Sequence, residues 1–205
     1  MLIVALTGNI ASGKSSVARL LAARGARIVD ADVLAREVVE PGSAALGEIA
    51  ARWGKGVLLP DGRLDRAALR DIVFAAPAEL EALNAIVHPR VELRRRALVA
   101  QARAEGERVL VCDIPLLFEK EMERSFDVVL LVDAPEALRR ERLVAERGLS
   151  VEEADRMIAA QMPSTAKRAR ADIVIDNDTS LAQLEQRVDE VWNELERRSR
   201  TARIS

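Results

Sequence analysis

Gly8-Asn9-Ile10-Ala11-Ser12-Gly13-Lys14-Ser15 satisfies G-x-x-x-x-G-K-[ST] at every fixed position. The apolar run Leu2-Ile3-Val4-Ala5-Leu6 stands before it and has the length of a buried strand, while Val17, Leu20 and Leu21 follow at helical spacing. Strand, glycine loop and helix is the setting in which this pattern grips phosphate. Gly8 and Gly13 let the backbone curl so that N–H groups turn inward, which a Cβ hinders. The helix that starts after Gly13 adds its free N–H groups and the positive end of its dipole. Lys14 has the reach to meet the outer phosphates of a nucleotide, and the Ser15 hydroxyl suits Mg²⁺. A chance match in a glycine-containing turn would not come with both flanks in place.

The remaining composition narrows the class. The 205 residues fit one domain of generous size with room for an inserted subdomain. Hydrophobic residues make up 49%, enough for a core, and the charges nearly cancel at −2, so nothing draws the chain to nucleic acid or to an anionic membrane. The single cysteine, Cys112, excludes an internal disulfide framework and fits a reducing compartment. No apolar run approaches the ~20 residues of a membrane span. Leu2–Leu6 lacks a basic segment before it and leads straight into the glycine loop, so it reads as a strand and not as a signal peptide. A cytoplasmic protein is expected. With three Phe, two Trp and no Tyr, its core must be built from Leu, Val, Ile and Ala.

Arg27-Ile28-Val29-Asp30 reads as a second short strand ending in the acidic pair Asp30 and Asp32. A strand–helix–strand opening implies a parallel α/β sheet, whose ligands collect at the carboxyl ends of the strands. Asp32 is open to two readings, an N-cap for a helix over Val33–Val39 or a catalytic carboxylate. Residues 41–106 contain no convincing central strand: Pro41-Gly42 and Pro60-Asp61-Gly62 mark turns, and Leu80, Leu83, Ile86 and Val87 form a helical stripe. A second helix is expected after Pro89, with His88, the only histidine, at the junction. Val109-Leu110-Val111-Cys112-Asp113 is a third strand that ends in a carboxylate, as a metal-facing Walker B strand does. Val128–Val132 is the fourth strand, and Ala171–Asn177 gives the fifth with the loop that follows it. Between them, Arg139, Arg140, Arg142 and Arg147 precede the capping box Ser150-Val151-Glu152-Glu153, which suggests a helix pair able to close over phosphates. A second capping box, Ser180–Gln183, opens a last helix with Leu181, Leu184, Val188, Val191, Trp192 and Leu195 on one face. From Arg197 the tail is polar and expected to fray.

Taken together these stretches resemble the dephospho-coenzyme A kinases, of the P-loop kinase group. The resemblance rests on LTGNIASGKS at Leu6–Ser15, DADVLAR at Asp30–Arg36, GRLDRAAL with the later VF at Gly62–Phe74, and HPR at His88–Arg90. It continues through DIPLLFE at Asp113–Glu119, ERL and RGLS within Glu141–Ser150, Gln161, and ADIVIDN at Ala171–Asn177. Asn9 and Ala11 depart from the pattern, since relatives usually carry Gly at both; loop shape is expected to survive.

The resemblance implies a five-stranded parallel sheet in the order 2-3-1-4-5, with helices on both faces, in a single P-loop kinase domain. Its core would comprise residues 1–30, 107–137 and 168–205, with a helical substrate insertion at 31–106 and an arginine-rich lid at 138–167. It implies ATP-dependent phosphorylation of the ribose 3′-hydroxyl of dephospho-coenzyme A, with Mg²⁺. Gly8, Ala11, Ser12, Gly13, Lys14, Ser15 and Ser16 would bind ATP with Arg142 and Asn177, and Ser15 and Asp113 would serve the metal. Asp32, Lys14 and Arg140 would carry the chemistry, and Asp32, Arg36, His88, Arg90 and Phe118 the substrate side. Two other readings of the loop exist. One is another small-molecule kinase acting on a nucleoside, nucleotide or sugar. The other is a GTP-dependent switch, which needs an N-K-x-D that Asp176-Asn177-Asp178-Thr179 does not supply. A nucleic-acid ATPase lacks both a basic surplus and an aromatic platform.

Overall fold

β1 (Leu2–Gly8), β3 (Val109–Asp113) and β4 (Val128–Asp133) are almost continuously apolar and almost wholly buried, whereas β2 (Arg27–Asp30) and β5 (Ile173–Asp176) are partly open. The reason is their place in one five-stranded sheet of order β2-β3-β1-β4-β5: the runs without alternation occupy the middle, and the shorter strands form the edges. β1 pairs in parallel with β3 and β4, and β4 in parallel with β5. The register sets Leu6 beside Asp113 and Thr7–Gly8 beside Leu131–Val132, so the strands finish together at the end where the glycine loop begins. The computed structural model describes residues 1–201.

The chain forms two compact units, Met1–Val29 with Ala102–Ser205, and Asp30–Gln101. In the first, α1 (Lys14–Ala23) and α9 (Leu181–Thr201) pack on the sheet. Val17, Leu21, Leu184, Val188 and Leu195 join Val4, Leu6, Val111 and Leu130 in one apolar cluster. At roughly 2 kcal/mol for each buried Leu or Val, this cluster is the main support of the sheet. Trp192 packs against it only partly buried, and Leu181, expected on the inner face, is 64% exposed because it starts the helix one turn before the contact. The expected fraying from Arg197 does not occur: α9 continues to Thr201 and buries Ser199, and residues 202–205 lie outside those described.

α6 (Glu136–Arg147), α7 (Val151–Ala159) and the short α8 (Ser164–Arg168) lie between β4 and β5. The Ser150–Glu153 capping box is made in both directions, at 3.1 and 2.8 Å. Leu143, Ala154 and Ile158 form the small core of α6 and α7.

The second unit contains α2 (Ala31–Glu37), α3 (Ala44–Trp53), α4 (Arg66–Ala75) and most of α5 (Pro77–Ala104). Its apolar cluster gathers Val39, Ala45, Ile49, Val57, Leu69 and Val73, with the stripe Leu80, Leu83, Ile86 and Val87 packed against it. The only strand pairing among its described residues is one bridge, Leu58 to Leu64, around the expected turn at Pro60–Gly62. Two local expectations need correction. α2 begins at Ala31 and its cap is Asp30, whose carboxylate accepts from the N–H groups of Asp32 and Val33 at 2.8 and 3.2 Å. α5 does not break at Pro89 but runs through it as one helix. Packing of the stripe outweighs the ~3 kcal/mol cost of an internal proline. Arg90 also donates from its guanidinium to the Ile86 carbonyl at 2.6 Å, covering an acceptor in the turn that proline loosens.

Candidate active site

The loop between β1 and α1 is shaped by close approach on one side and by backbone sign on the other. A Cβ on Gly8 would stand 2.5 Å from the Val132 carbonyl oxygen, so the strand end must be bare. Gly13 has φ 89°, and a Cβ there would stand 1.9 Å from Asn177 Nδ2, which donates to the Ser12 carbonyl at 2.8 Å. Ala11 adopts φ 58°, and this left-handed backbone costs about 1 kcal/mol with a side chain present. Ser12 N–H turns back to the Asn9 carbonyl and Ser16 N–H to the Gly13 carbonyl. The N–H groups of Ala11, Gly13, Lys14 and Ser15 have no hydrogen-bond partner among the described residues. Four free amides at a helix start are an anion cradle.

Lys14 and Asp113 form an ion pair at the ends of α1 and β3. Both side chains are largely buried, and Asp113 is brought there by the register that aligns it with Leu6. The Ser15 hydroxyl is exposed one residue on. A hydroxyl and a carboxylate are hard oxygen donors of the kind Mg²⁺ takes in ones and twos beside nucleotide phosphates.

The four arginines expected in the lid divide by position. Arg142 sits on the loop, its guanidinium donating to the Ala11 carbonyl at 3.1 Å and to the Asn177 carbonyl at 3.0 Å. Arg140 is instead paired with Asp155 on α7 and, at 3.5 Å, with Glu136. Arg139 is buried and donates to the Ala134 carbonyl at 3.1 Å; burial lowers its pKa, opposed by the nearby Asp133 and Glu136 charges. Arg147 is exposed near the end of α6. At the carboxyl ends of β4 and β5, Arg168 lies 3.0 Å from Asp133 and 2.5 Å from Asp176, and those carboxylates raise its pKa further.

The substrate-side residues fall in the second unit, except Phe118. Asp32 is in the first turn of α2, exposed, and its carboxylate has no partner among the described residues. With Asp30 as the cap, Asp32 is free of that duty. Arg36 is exposed in the last turn of α2, and His88 is exposed in mid-α5. Arg90 pairs with Glu48 at 2.6 Å. Phe118 is a core residue of the first unit, fully buried, with the Arg170 guanidinium 5.2 Å from its ring centre.

Sequence reasoning missed the contacts that hold the tip of the loop. Ile10 N–H donates to Gln161 Oε1 at 2.7 Å, and Asn9 Nδ2 donates to Ser164 Oγ at 3.0 Å and to the Met162 carbonyl at 3.4 Å. Ile10 and Ala11 also pack on the Leu143–Ala154–Ile158 cluster. Behind this segment, Lys167 is paired with Glu119 at 2.7 Å. Glu119 and Gln161 stood within recognised motifs without a role; Lys167, in the polar run Ser164–Arg170, carried no signal.

Comparison with known proteins agrees with this geometry. The family model described as dephospho-CoA kinase matches residues 2–183. The dephospho-CoA kinase of Thermobifida fusca is 54% identical over 198 residues, covering 97% of this chain and 98% of that one. The crystal structure of TT1252 from Thermus thermophilus superposes with a TM-score of 0.79 at 41% identity, over 95% of this chain and 97% of that one. The dephospho-CoA kinase of Campylobacter jejuni, at 24% identity, shares the fold with a TM-score of 0.67 over 94% and 96% of the two chains. With the phosphate cradle, the strand order and a family match over most of its length in agreement, this chain belongs to the dephospho-CoA kinase family.

Proposed function

We infer that this protein transfers the γ-phosphoryl group of ATP to the ribose 3′-hydroxyl of dephospho-coenzyme A, giving coenzyme A and ADP, the last step of coenzyme A synthesis. The observation that carries the reading is the Gly8–Ser15 loop, with its four unpaired N–H groups beside the Lys14–Asp113 pair, in a chain of this family. The amides of Ala11, Gly13, Lys14 and Ser15 hold the phosphate chain, with Ser12 and Ser16 in the same turn. Lys14 leaves Asp113 to span the outer phosphates, and Arg142, fixed on the Ala11 carbonyl, adds a cation where the loop meets Asn177. Ser15 and Asp113 would hold Mg²⁺, which would supply charge neutralisation at the phosphate oxygens.

Asp32 presents the acceptor. Its free carboxylate accepts the hydroxyl proton as the oxygen bonds to phosphorus and the bond to the β-phosphate oxygen breaks, with ADP leaving. The transition state is loose, so alignment by Asp32 matters more than its basicity. Arg140 reaches the moving phosphoryl group by exchanging Asp155 for it. Arg36, His88 and Arg90 serve the dephospho-coenzyme A side. The lid at 138–167 excludes water that would otherwise hydrolyse ATP. Residues 31–106 form the substrate insertion, and the protein works in the cytoplasm; no helix among the described residues is long and apolar enough to cross a membrane. The test is ADP release by the purified chain with Mg-ATP and dephospho-coenzyme A, against nucleosides, nucleotides and sugars. Turnover confined to dephospho-coenzyme A upholds the reading, and turnover on another acceptor alone replaces it.

A further inference from the structure

One buried charge in the first unit has no task in that mechanism. Lys167, in the short helix α8, is 0% exposed. A lysine seldom loses all its water unless a fixed partner holds it. Its Nζ lies 2.7 Å from Oε1 of Glu119, and the same oxygen accepts the Met162 N–H at 3.3 Å. Burial pushes the Glu119 carboxyl up, but the Lys167 ammonium and the backbone N–H groups of Glu119 and Met162 bring it below its ordinary value. Glu119 follows Leu117 and Phe118, both fully buried, and packing therefore fixes where it stands.

Met162 belongs to the segment Gln161–Ser164 that meets the tip of the phosphate loop. Gln161 accepts the Ile10 N–H, and the Met162 carbonyl and Ser164 hydroxyl accept the Asn9 amide. Lys167, Glu119, Met162 and Asn9 thus make an unbroken line of polar contacts from the core to the loop. Asn9 supplies the side-chain amide that reaches Ser164, and a glycine at this position would have none. We propose that Glu119 and Lys167 are positioning residues for ATP: through Met162 they set the height of the Gln161–Ser164 segment, and through Asn9 and Ile10 the aim of the loop's N–H groups. The proposal rests on the reading of Gly8–Ser15 as the ATP phosphate site. It assigns to two residues outside that site part of the chain's affinity for the nucleotide.

The experiment is a double-mutant cycle on the full-length enzyme. Glu119→Leu with Lys167→Met removes both charges together, which avoids leaving either one buried alone. The KM for ATP is expected to rise about tenfold, because small misplacements of a binding group are felt strongly. The KM for dephospho-coenzyme A should stay within about twofold. In an Asn9→Gly background, where one arm of the link is already cut, the same pair of changes should raise the ATP KM distinctly less, as coupled residues do. If that variant does not fold, Glu119→Gln with Lys167→Met is measured by the same criteria. An unchanged ATP KM, an equal rise for both substrates, or full additivity with Asn9→Gly overturns the proposal. Lys14→Ala is the separate control: if it still transfers phosphate, the loop reading fails, whatever the pair does.

Discussion

The most buried ion pairs of this chain lie in one of its two units. In Met1–Val29 with Ala102–Ser205, key charges are withdrawn from water and tied: Lys14 to Asp113, Lys167 to Glu119, and Arg142 to two carbonyls. In Asp30–Gln101 they lie nearer the surface, as Arg63–Asp61, Arg94–Glu37 and Arg90–Glu48 do, while the Asp32 carboxylate has no partner among the described residues. An exposed ion pair contributes up to about 1 kcal/mol, but a buried charge stripped of its partner costs about 3–5 kcal/mol. The first unit is therefore a stiff mould whose parts fix one another. The second presents groups that are still free to meet a ligand. A kinase that grips one phosphate chain and aligns one alcohol has use for both designs.

The largest effect should come from the mould. Lys14→Ala is expected to lower phosphoryl transfer by at least about a thousandfold, the scale of one preorganised cation at a transferring phosphoryl group. The measurement is coupled ADP release, with circular dichroism to follow folding; Lys14→Met, which keeps most of the stem, covers the case in which lost side-chain packing unsettles the fold. Near-normal turnover in both would mean that the buried charges of the first unit do not grip ATP. Asp32→Asn probes the other design. It should slow kcat about a hundredfold, within the range of lost proton-transfer or alignment groups, and leave the ATP KM unchanged. It should also leave the urea midpoint unchanged, because the cap of α2 is Asp30. A shifted midpoint with little loss of kcat would return Asp32 to a structural role.

Within the loop the comparison narrows to two neighbours with positive φ. Gly13→Ala would drive a Cβ to 1.9 Å from Asn177 Nδ2 and break that amide's bond to the Ser12 carbonyl. About 3 kcal/mol of stability should be lost in denaturant unfolding, from strain plus an orphaned polar group. Ala11→Gly relieves strain at φ 58° but frees the unfolded chain and removes a methyl from the Leu143 cluster. One gain stands against two losses of about 1 kcal/mol each, so stability should fall by only about 1 kcal/mol, well short of the Gly13→Ala loss.

What the sequence made legible follows the same division. The strands were readable because a buried parallel strand must be a short apolar run, and Arg27–Asp30 and Val109–Asp113 have the predicted ends. The loop was readable because phosphate needs glycines at fixed spacing. The second unit was less legible: Pro89 reads locally as a break, and only the packing of Leu80, Leu83, Ile86 and Val87 decides that α5 runs on. At Asp30 and Asp32, two aspartates two residues apart compete for one cap, and a shift of two residues in the helix start exchanges their roles. Lys167 was invisible because nothing in Ser164-Thr165-Ala166-Lys167-Arg168 marks one cation as the buried one. Arg140 and Arg142 are likewise alike in sequence, two residues apart on α6, yet one faces Asp155 and the other the loop.

The smallest difference, one of slope with pH, sets one carboxylate of each unit against the other under acid. Glu119 is held below the ordinary value of about 4.5 against the push of burial by Lys167 and two backbone N–H groups, and Glu79 by its bonds to Arg52 and the Trp53 indole. In both cases the folded protein resists the proton that the unfolded chain accepts. Their stabilisation is therefore whole above about pH 4.5 and is lost as pH falls through the lower folded value. Glu119→Gln and Glu79→Gln should each flatten the fall of the urea midpoint in that window. Salt should separate them. Arg52 is 45% exposed and Lys167 0%, and at 1 M salt the screening length shrinks to about 3 Å. The difference between wild type and Glu79→Gln should fade at 1 M NaCl, while that between wild type and Glu119→Gln persists. Equal fading would mean that water reaches Lys167 as readily as Arg52, and the contrast between a sealed first unit and an open second one would not survive it.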